Sequence, residues 1–293
     1  MKRRDFLKIS GASSIGMMAS PYLMSCGSSA TTSEYGLGLY TIRNELKQDY
    51  RGSLEKVAQI GFRNLEFFDY DNGKYIGTSS AELKKMLSDL NLKIRSCHYY
   101  LGEHKTEIKG TLINDWEMAV NDAAELGQEY MVIGWLFEEE RQSLDDYKRH
   151  IDVLNKQAEL VNSYGMQFGY HNHDFEFIDF DGQTPYDLLL ERCDPDLVKF
   201  EMDMYWMYKA DQDPVKYFEK HPGQFPLWHM KDMTNDSEQF FAAVGEGVID
   251  WSRLLSHAEL AGLVYPFVEQ DDSRNKKQFE NITNSLNHLK KIS

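Results

Sequence analysis

From Tyr35 to the C-terminus, short apolar runs alternate with longer stretches whose apolar residues recur every three or four positions. The short runs predict strands near 35–41, 64–69, 92–98, 129–135, 166–172, 197–203, 226–231 and 264–269. The longer stretches predict helices near 52–60, 79–90, 111–127, 142–164, 184–192, 213–220, 250–261 and 273–291. Gly61 and Gly127 read as helix stops, and Ser79-Ser80 and Ser143 as helix starts. Eight strand–helix units over residues 35–293 are the size of an α/β fold of the (β/α)8, or TIM-barrel, type. No linker, composition shift or repeat divides this stretch, so a single domain is the simplest organisation.

In such barrels the active site lies at the carboxyl ends of the strands, and those ends are unusually polar here. The densest is Gly169-Tyr170-His171-Asn172-His173-Asp174-Phe175-Glu176-Phe177, a strand running out into a loop with two imidazoles and two carboxylates. Strand two ends at Glu66 to Asp69, strand three at Cys97-His98, and strand six at Glu201-Met202-Asp203. Strand seven ends at His229-Met230-Lys231-Asp232 and strand eight at Glu269, while strands one and four offer only glycines and rings. Each polar residue alone has an ordinary explanation: Glu66 as a helix cap, His98 as a core histidine, Lys231 as the partner of Asp203 or Asp232. Six polar strand ends together are harder to explain that way, because burying them unpaired costs several kcal/mol. A shared cation offsets that cost. Carboxylates and imidazoles at a barrel mouth suit Mn²⁺, Co²⁺, Zn²⁺ or Fe²⁺ better than Ca²⁺.

Charge narrows the partners. A net charge of -15 over 293 residues argues against nucleic acid, which calls for a clustered basic face. Aromatic content of 13% suits a sugar-stacking pocket as well as a core. Trp135, Trp206, Trp228, Tyr99 and Tyr100 are the candidates for that pocket, with core packing the equal alternative for each.

The first residues read as an address and stand apart from the fold. Lys2-Arg3-Arg4-Asp5-Phe6-Leu7-Lys8 resembles a twin-arginine export signal, and Leu23-Met24-Ser25-Cys26 resembles a bacterial lipobox, with Met24 in place of the usual small residue. The expected organisation is therefore a signal over 1–26, a flexible tether over 27–34 and the barrel over 35–293. The product would be exported, as a periplasmic protein or a lipoprotein held at the membrane only through a lipid on Cys26. Beyond Cys26, two cysteines, Cys97 and Cys193, make no disulfide framework. A homo-oligomer is compatible with the sequence.

With these residues in view, the chain resembles the xylose-isomerase-like TIM-barrel family, also called the sugar phosphate isomerase/epimerase family. The resemblance spans nearly all of 35–293. It rests on Tyr170 to Phe177, Glu201-Met202-Asp203, His229-Met230-Lys231-Asp232, Glu269, and Gly245-Glu246-Gly247-Val248-Ile249-Asp250-Trp251. Carried over by position, the resemblance implies one divalent metal, Mn²⁺ first, with Co²⁺, Zn²⁺ or Fe²⁺ as alternatives. Its ligands would be His171, Asp203, His229 and Glu269. His171 stands where the family's epimerases place a glutamate, and Trp206 where they place a histidine. The histidine-rich version of strand five looks more like relatives that act on 3-keto-glycosides.

The family's chemistry, removal of a proton beside a carbonyl, implies a metal as Lewis acid and Lys231 as added positive charge. Glu269, His173 or His98 would be the base, with Glu66 as a second carboxylate. Glu176, Trp206, Trp135 and Tyr99 would meet a keto-sugar or glycoside. Return of the proton elsewhere makes an isomerase or epimerase; a leaving group one carbon on makes a lyase. The alternative class is a surface lipoprotein that binds carbohydrate without chemistry, which would not need the full ligand set. A DNA-repair endonuclease of the same fold fails on charge and export.

Overall fold

The structure is a computed structural model that describes residues 34–293. The expected signal, Cys26 and the tether up to residue 33 lie outside the described residues. Eight strands form a closed barrel: β1 (Gly36–Gly38), β2 (Asn64–Phe67), β3 (Lys93–Tyr100), β4 (Tyr130–Trp135), β5 (Gln167–His171), β6 (Val198–Asp203), β7 (Leu227–Met230) and β8 (Tyr265–Val268). They run in chain order and all in parallel, and β8 closes on β1 with Gly36 opposite Phe267 and Leu37 opposite Val268. Helices cover the outside, so the strands are buried on both faces and read as apolar runs such as Met131-Val132-Ile133.

Alternation along each strand stacks the inward side chains in layers. Val132, Leu227 and Phe267 fill the lower barrel as their own packed cluster. Gly36 makes room for that plug, because a Cβ there would lie 2.4 Å from the Phe267 ring. Two residues further along, the inward positions turn polar on β7 with His229 and just past β8 with Glu269, while β4 carries Gly134 there. The apolar layer thus seals the barrel below, and the chemistry begins one layer above it.

The caps follow the sequence. Ser79 and Ser143 accept hydrogen bonds from Glu82 N and Asp146 N at the starts of Ser80–Leu90 and Leu144–Ser163. Gly61 and Gly127 end their helices with φ of +116° and +75°.

Several boundaries differ. The first strand stops at Gly38, and Leu39–Ile42 turns instead, burying Leu39 and Ile42 at helical spacing. The expected helix at 111–127 starts at Trp116, because the Asn114 amide ties the preceding loop to Thr106 O and Ile108 O. The expected helix at 250–261 breaks into Trp251–Leu255 and Ala258–Ala261. A small three-stranded meander over Tyr70–Ser79 had no strong pattern to announce it, since each strand is two residues long. Cys97 and Cys193 are free and buried. No helix among the described residues is long and apolar enough to cross a membrane.

Candidate metal centre and cavity

A cavity of about 470 Å³ opens at the carboxyl ends of the strands. Tyr100, Trp135, Phe175 and Trp206 contribute aromatic walls, while His98, His171, Lys231 and Glu269 reach it from the floor. Glycines shape the floor. A Cβ at Gly134 would lie 2.3 Å from His98 Nδ1, and one at Gly38 would lie 2.9 Å from Glu269 Oε1. These two strands therefore supply space where the others supply ligands.

Beneath the cavity, imidazoles and carboxylates interlock. His229 lies 2.9 Å from Glu269 through Nδ1 and 2.5 Å from Glu66 through Nε2. His98 Nε2 lies 2.6 Å from Glu201 and 3.3 Å from Glu66. His171 points Nδ1 at Glu201, 3.3 Å away, and Nε2 at Asp203, 3.8 Å away. The Lys231 ammonium sits 2.8 Å from Asp203, 2.8 Å from Glu269 and 2.6 Å from Asp271.

Burial and charge set the protonation of this floor. Burial opposes ionisation of Glu66, but the His98 and His229 imidazoles hold it down to about 2. Burial and the neighbouring Glu66 charge push Glu201 up to about 7. Burial works against the charge on Lys231, yet Asp203, Asp271 and Glu269 raise it well above its ordinary value. Burial, with the neighbouring His229, His173 and His98 imidazoles and the Lys231 ammonium, pushes His171 well below its ordinary value.

Glu66 Oε2, Glu201 Oε1 and His171 Nδ1 are buried and make no hydrogen bond. Leaving each so costs about 1–3 kcal/mol, and a cation among them removes that cost. His98, His171, Glu201 and His229 bring donor atoms within 4.8 Å of one another, as do Asp203, His229 and Glu269. These groups could hold a metal ion, and the mixed imidazole–carboxylate set fits a borderline divalent cation.

All the expected metal ligands and all five candidate catalytic side chains come to this floor or its rim. His173 lines the cavity, its ring edge-on to Trp135 at 4.7 Å and stacked on Phe175 at 5.2 Å. Trp135 and Trp206 line it too. One expectation needs correction, and Trp228 takes its core-packing alternative. Glu176 does not face the cavity: its carboxylate is buried, accepting from Tyr170 OH at 2.7 Å and His173 N at 2.8 Å, so it holds the His173 loop. Trp228 is stacked on Phe218 at 5.1 Å in the helical layer, because its neighbours Leu227 and His229 take the inward positions. Tyr99 touches the cavity, but its ring is buried against Trp116 with its hydroxyl donating to Gln128.

Two residues of the floor were missed. Glu201 is level with His171 on one side and with Leu227, a layer lower, on the other, so it lies under Asp203. Asp271 follows Glu269 by two positions. In both cases the i, i+2 spacing from an assigned residue was the available signal.

The Gly245–Trp251 motif turns out to wrap the Asp232 carboxylate. Met233 N, Gly245 N, Ile249 N and Trp251 Nε1 all donate to it at 2.8–3.1 Å.

Residues 54–292 match the family model described as xylose isomerase-like TIM barrel. A sugar phosphate isomerase/epimerase from Parabacteroides distasonis ATCC 8503 is 31% identical, with a TM-score of 0.75 over 89% of this chain and 95% of that one. A second sugar phosphate isomerase/epimerase from that organism is 27% identical, with a TM-score of 0.77 over 88% and 98%. A D-psicose 3-epimerase solved in the presence of D-fructose shares the fold, at 13% identity and a TM-score of 0.64 over 88% and 99%. No curated protein matches the chain.

Proposed function

Since this chain belongs to the xylose isomerase-like TIM-barrel family, we propose that it is a divalent-metal-dependent enzyme removing a proton beside the carbonyl of a keto-sugar. The observation that carries this is the convergence of Asp203, His229 and Glu269 donor atoms within 4.8 Å of one another, with His171 Nε2 facing Asp203, beneath an aromatic-walled cavity. His171, Asp203, His229 and Glu269 are the residues that would hold the metal, with Mn²⁺ the first choice. A divalent cation there supplies Lewis-acid polarisation of the carbonyl. Lys231 adds a fixed positive charge from the side of Asp203 and Glu269. His173 is the base: it faces the cavity, stands outside the ligand set and is held by Trp135 and Phe175. Tyr100, Trp135 and Trp206 present faces and edges to a sugar ring.

The sharper form of this reading is a lyase that eliminates the aglycone of a 3-keto-glycoside. The cavity volume lies within the range of pockets that enclose ligands larger than one sugar ring. The twin-arginine-like start and Cys26 support an exported protein, where sugar phosphates are not the available substrates.

The test is a proton NMR time course in D2O with a 3-keto-glucoside and the Mn²⁺-loaded protein, with EDTA as the control. Loss of the H-2 signal with release of the aglycone is the result expected of the lyase. Exchange without cleavage returns the reading to isomerisation or epimerisation. A protein that binds the glycoside with neither exchange nor cleavage is a carbohydrate-binding protein, and the enzymatic reading falls.

A further inference from the structure

We propose that the barrel floor contains a second, deeper cation seat, formed by His98, His171, Glu201 and His229 and selective for Zn²⁺. This extends the metal reading above and shares two of its residues. The argument begins with the rings of His171 and His229, which each face two ways. His171 turns Nε2 towards Asp203 and Nδ1 towards Glu201. His229 turns Nδ1 towards Asp203 and Glu269, and Nε2 towards Glu66 and Glu201. One set of nitrogens serves the upper carboxylates and the other set meets below them.

The lower set is complete. His98 Nε2 enters from β3 and is 2.6 Å from Glu201, while His171 Nδ1 and His229 Nε2 are 3.3 Å and 3.4 Å from the same carboxylate. Donors at the corners of a tetrahedron with bonds of about 2.0–2.1 Å stand about 3.3 Å apart. Gly134 leaves the space in which the His98 ring lies. Glu201 Oε1, His171 Nδ1 and the adjacent Glu66 Oε2 are buried without hydrogen-bond partners. His98 and His171 line the cavity, which gives a cation its way in.

The two seats differ in chemistry. Above, Asp203 and Glu269 join two imidazoles, and the Lys231 ammonium already lies between those carboxylates. Below, three imidazoles meet Glu201, with Glu66 beside it at 2.5 Å from His229 Nε2 and 3.3 Å from His98 Nε2, and no ammonium is in contact. Carboxylate-rich sites suit Mn²⁺ and imidazole-rich sites suit Zn²⁺. A neutral imidazole has one lone pair, so a cation in the deeper seat takes His171 and His229 away from the upper one. Zn²⁺ therefore inhibits by displacing Mn²⁺ from a position it does not itself occupy.

Anomalous diffraction from crystals soaked in Zn²⁺ or Mn²⁺, combined with equilibrium dialysis of the whole protein, tests this. Two distinct peaks are expected, the Zn²⁺ peak among the three imidazoles and the Mn²⁺ peak beside Asp203 and Glu269. His98→Gln should weaken Zn²⁺ binding by at least about tenfold, the low end of what even an outer partner is worth, and Mn²⁺ binding far less. Asp203→Asn should do the reverse. Coincident peaks, or a His98→Gln protein that loses both ions equally, overturn the deeper seat. The diffraction arm needs no variant, so a misfolded one does not shield the proposal. Mn²⁺ bound above with no Zn²⁺ below refutes the deeper seat alone, whereas no binding of either ion refutes the proposed function with it.

Discussion

Replacing Asp232 with Asn tests whether the Gly245–Trp251 segment is a scaffold or part of the chemistry. Asp232 Oδ1 accepts from Met233 N at 2.8 Å and Ile249 N at 3.1 Å; Oδ2 accepts from Gly245 N at 2.9 Å and Trp251 Nε1 at 2.9 Å. The side chain is fully buried, so no water replaces a lost bond. Gly247 is required because a Cβ would lie 2.2 Å from Asp232 Oδ1, and Gly245 because its φ is +86° and a Cβ would meet the His288 ring. In the Asn variant one oxygen becomes an NH2 group, and whichever way the amide turns, two N–H donors face another donor. Each buried donor left unsatisfied costs about 1–3 kcal/mol, so the loss should be about 2–6 kcal/mol. That is a large share of the roughly 5–15 kcal/mol by which proteins are stable. Urea unfolding followed by tryptophan fluorescence measures it, alongside Mn²⁺ affinity of the folded variant. An unchanged unfolding midpoint with a weakened metal affinity would refute the scaffold assignment.

Two other expectations follow from the buried charges. Burial pushes the Glu176 carboxyl from 4.5 up to about 8, so the folded protein keeps a proton that the unfolded chain releases. Stability should therefore fall as pH rises from about 4.5 to about 8, by roughly 1.4 kcal/mol for each pH unit within that window. Glu176→Gln, which cannot titrate, should flatten that decline in thermal melts; an equal slope in both proteins would contradict it. Lys231→Met leaves Asp203, Glu269 and Asp271 facing one another without their ammonium. The metal-free variant should lose about 3–5 kcal/mol, and Mn²⁺ should restore more stability to it than to the parent protein. Melting in EDTA that matches the parent would show that the ammonium is not what holds these carboxylates together.

The helix caps and most strand centres were legible because they depend on neighbours within a few residues: a serine before a helix, a glycine after it, an apolar run between. The polar strand ends were legible for the same reason, and they led to His98, His171, Asp203, His229 and Glu269. Trp228 was left open between pocket and core where the same logic could have decided it, since an inward His229 turns the residue before it outward. Glu176 was misjudged for a different reason: local spacing did not show where its carboxylate turns. Its partner Tyr170 lies only six residues away, but the turn at Phe175–Phe177 that folds the carboxylate back had no sequence pattern of its own.

Taken alone, the amino-acid sequence determined the alternation of elements, the closed parallel barrel they imply, and the end that carries the polar residues. Local periodicity and residue chemistry are enough for that. Only the tertiary structure decided that Glu201 lies under Asp203, that Asp271 completes the cage around Lys231, and which nitrogen of His171 and His229 faces which carboxylate. Those facts depend on the stagger between strands as the barrel closes, which brings His229 against Glu66 across 163 positions of chain. The offset between distant strands is set by packing of the whole barrel, and no short stretch of sequence encodes it.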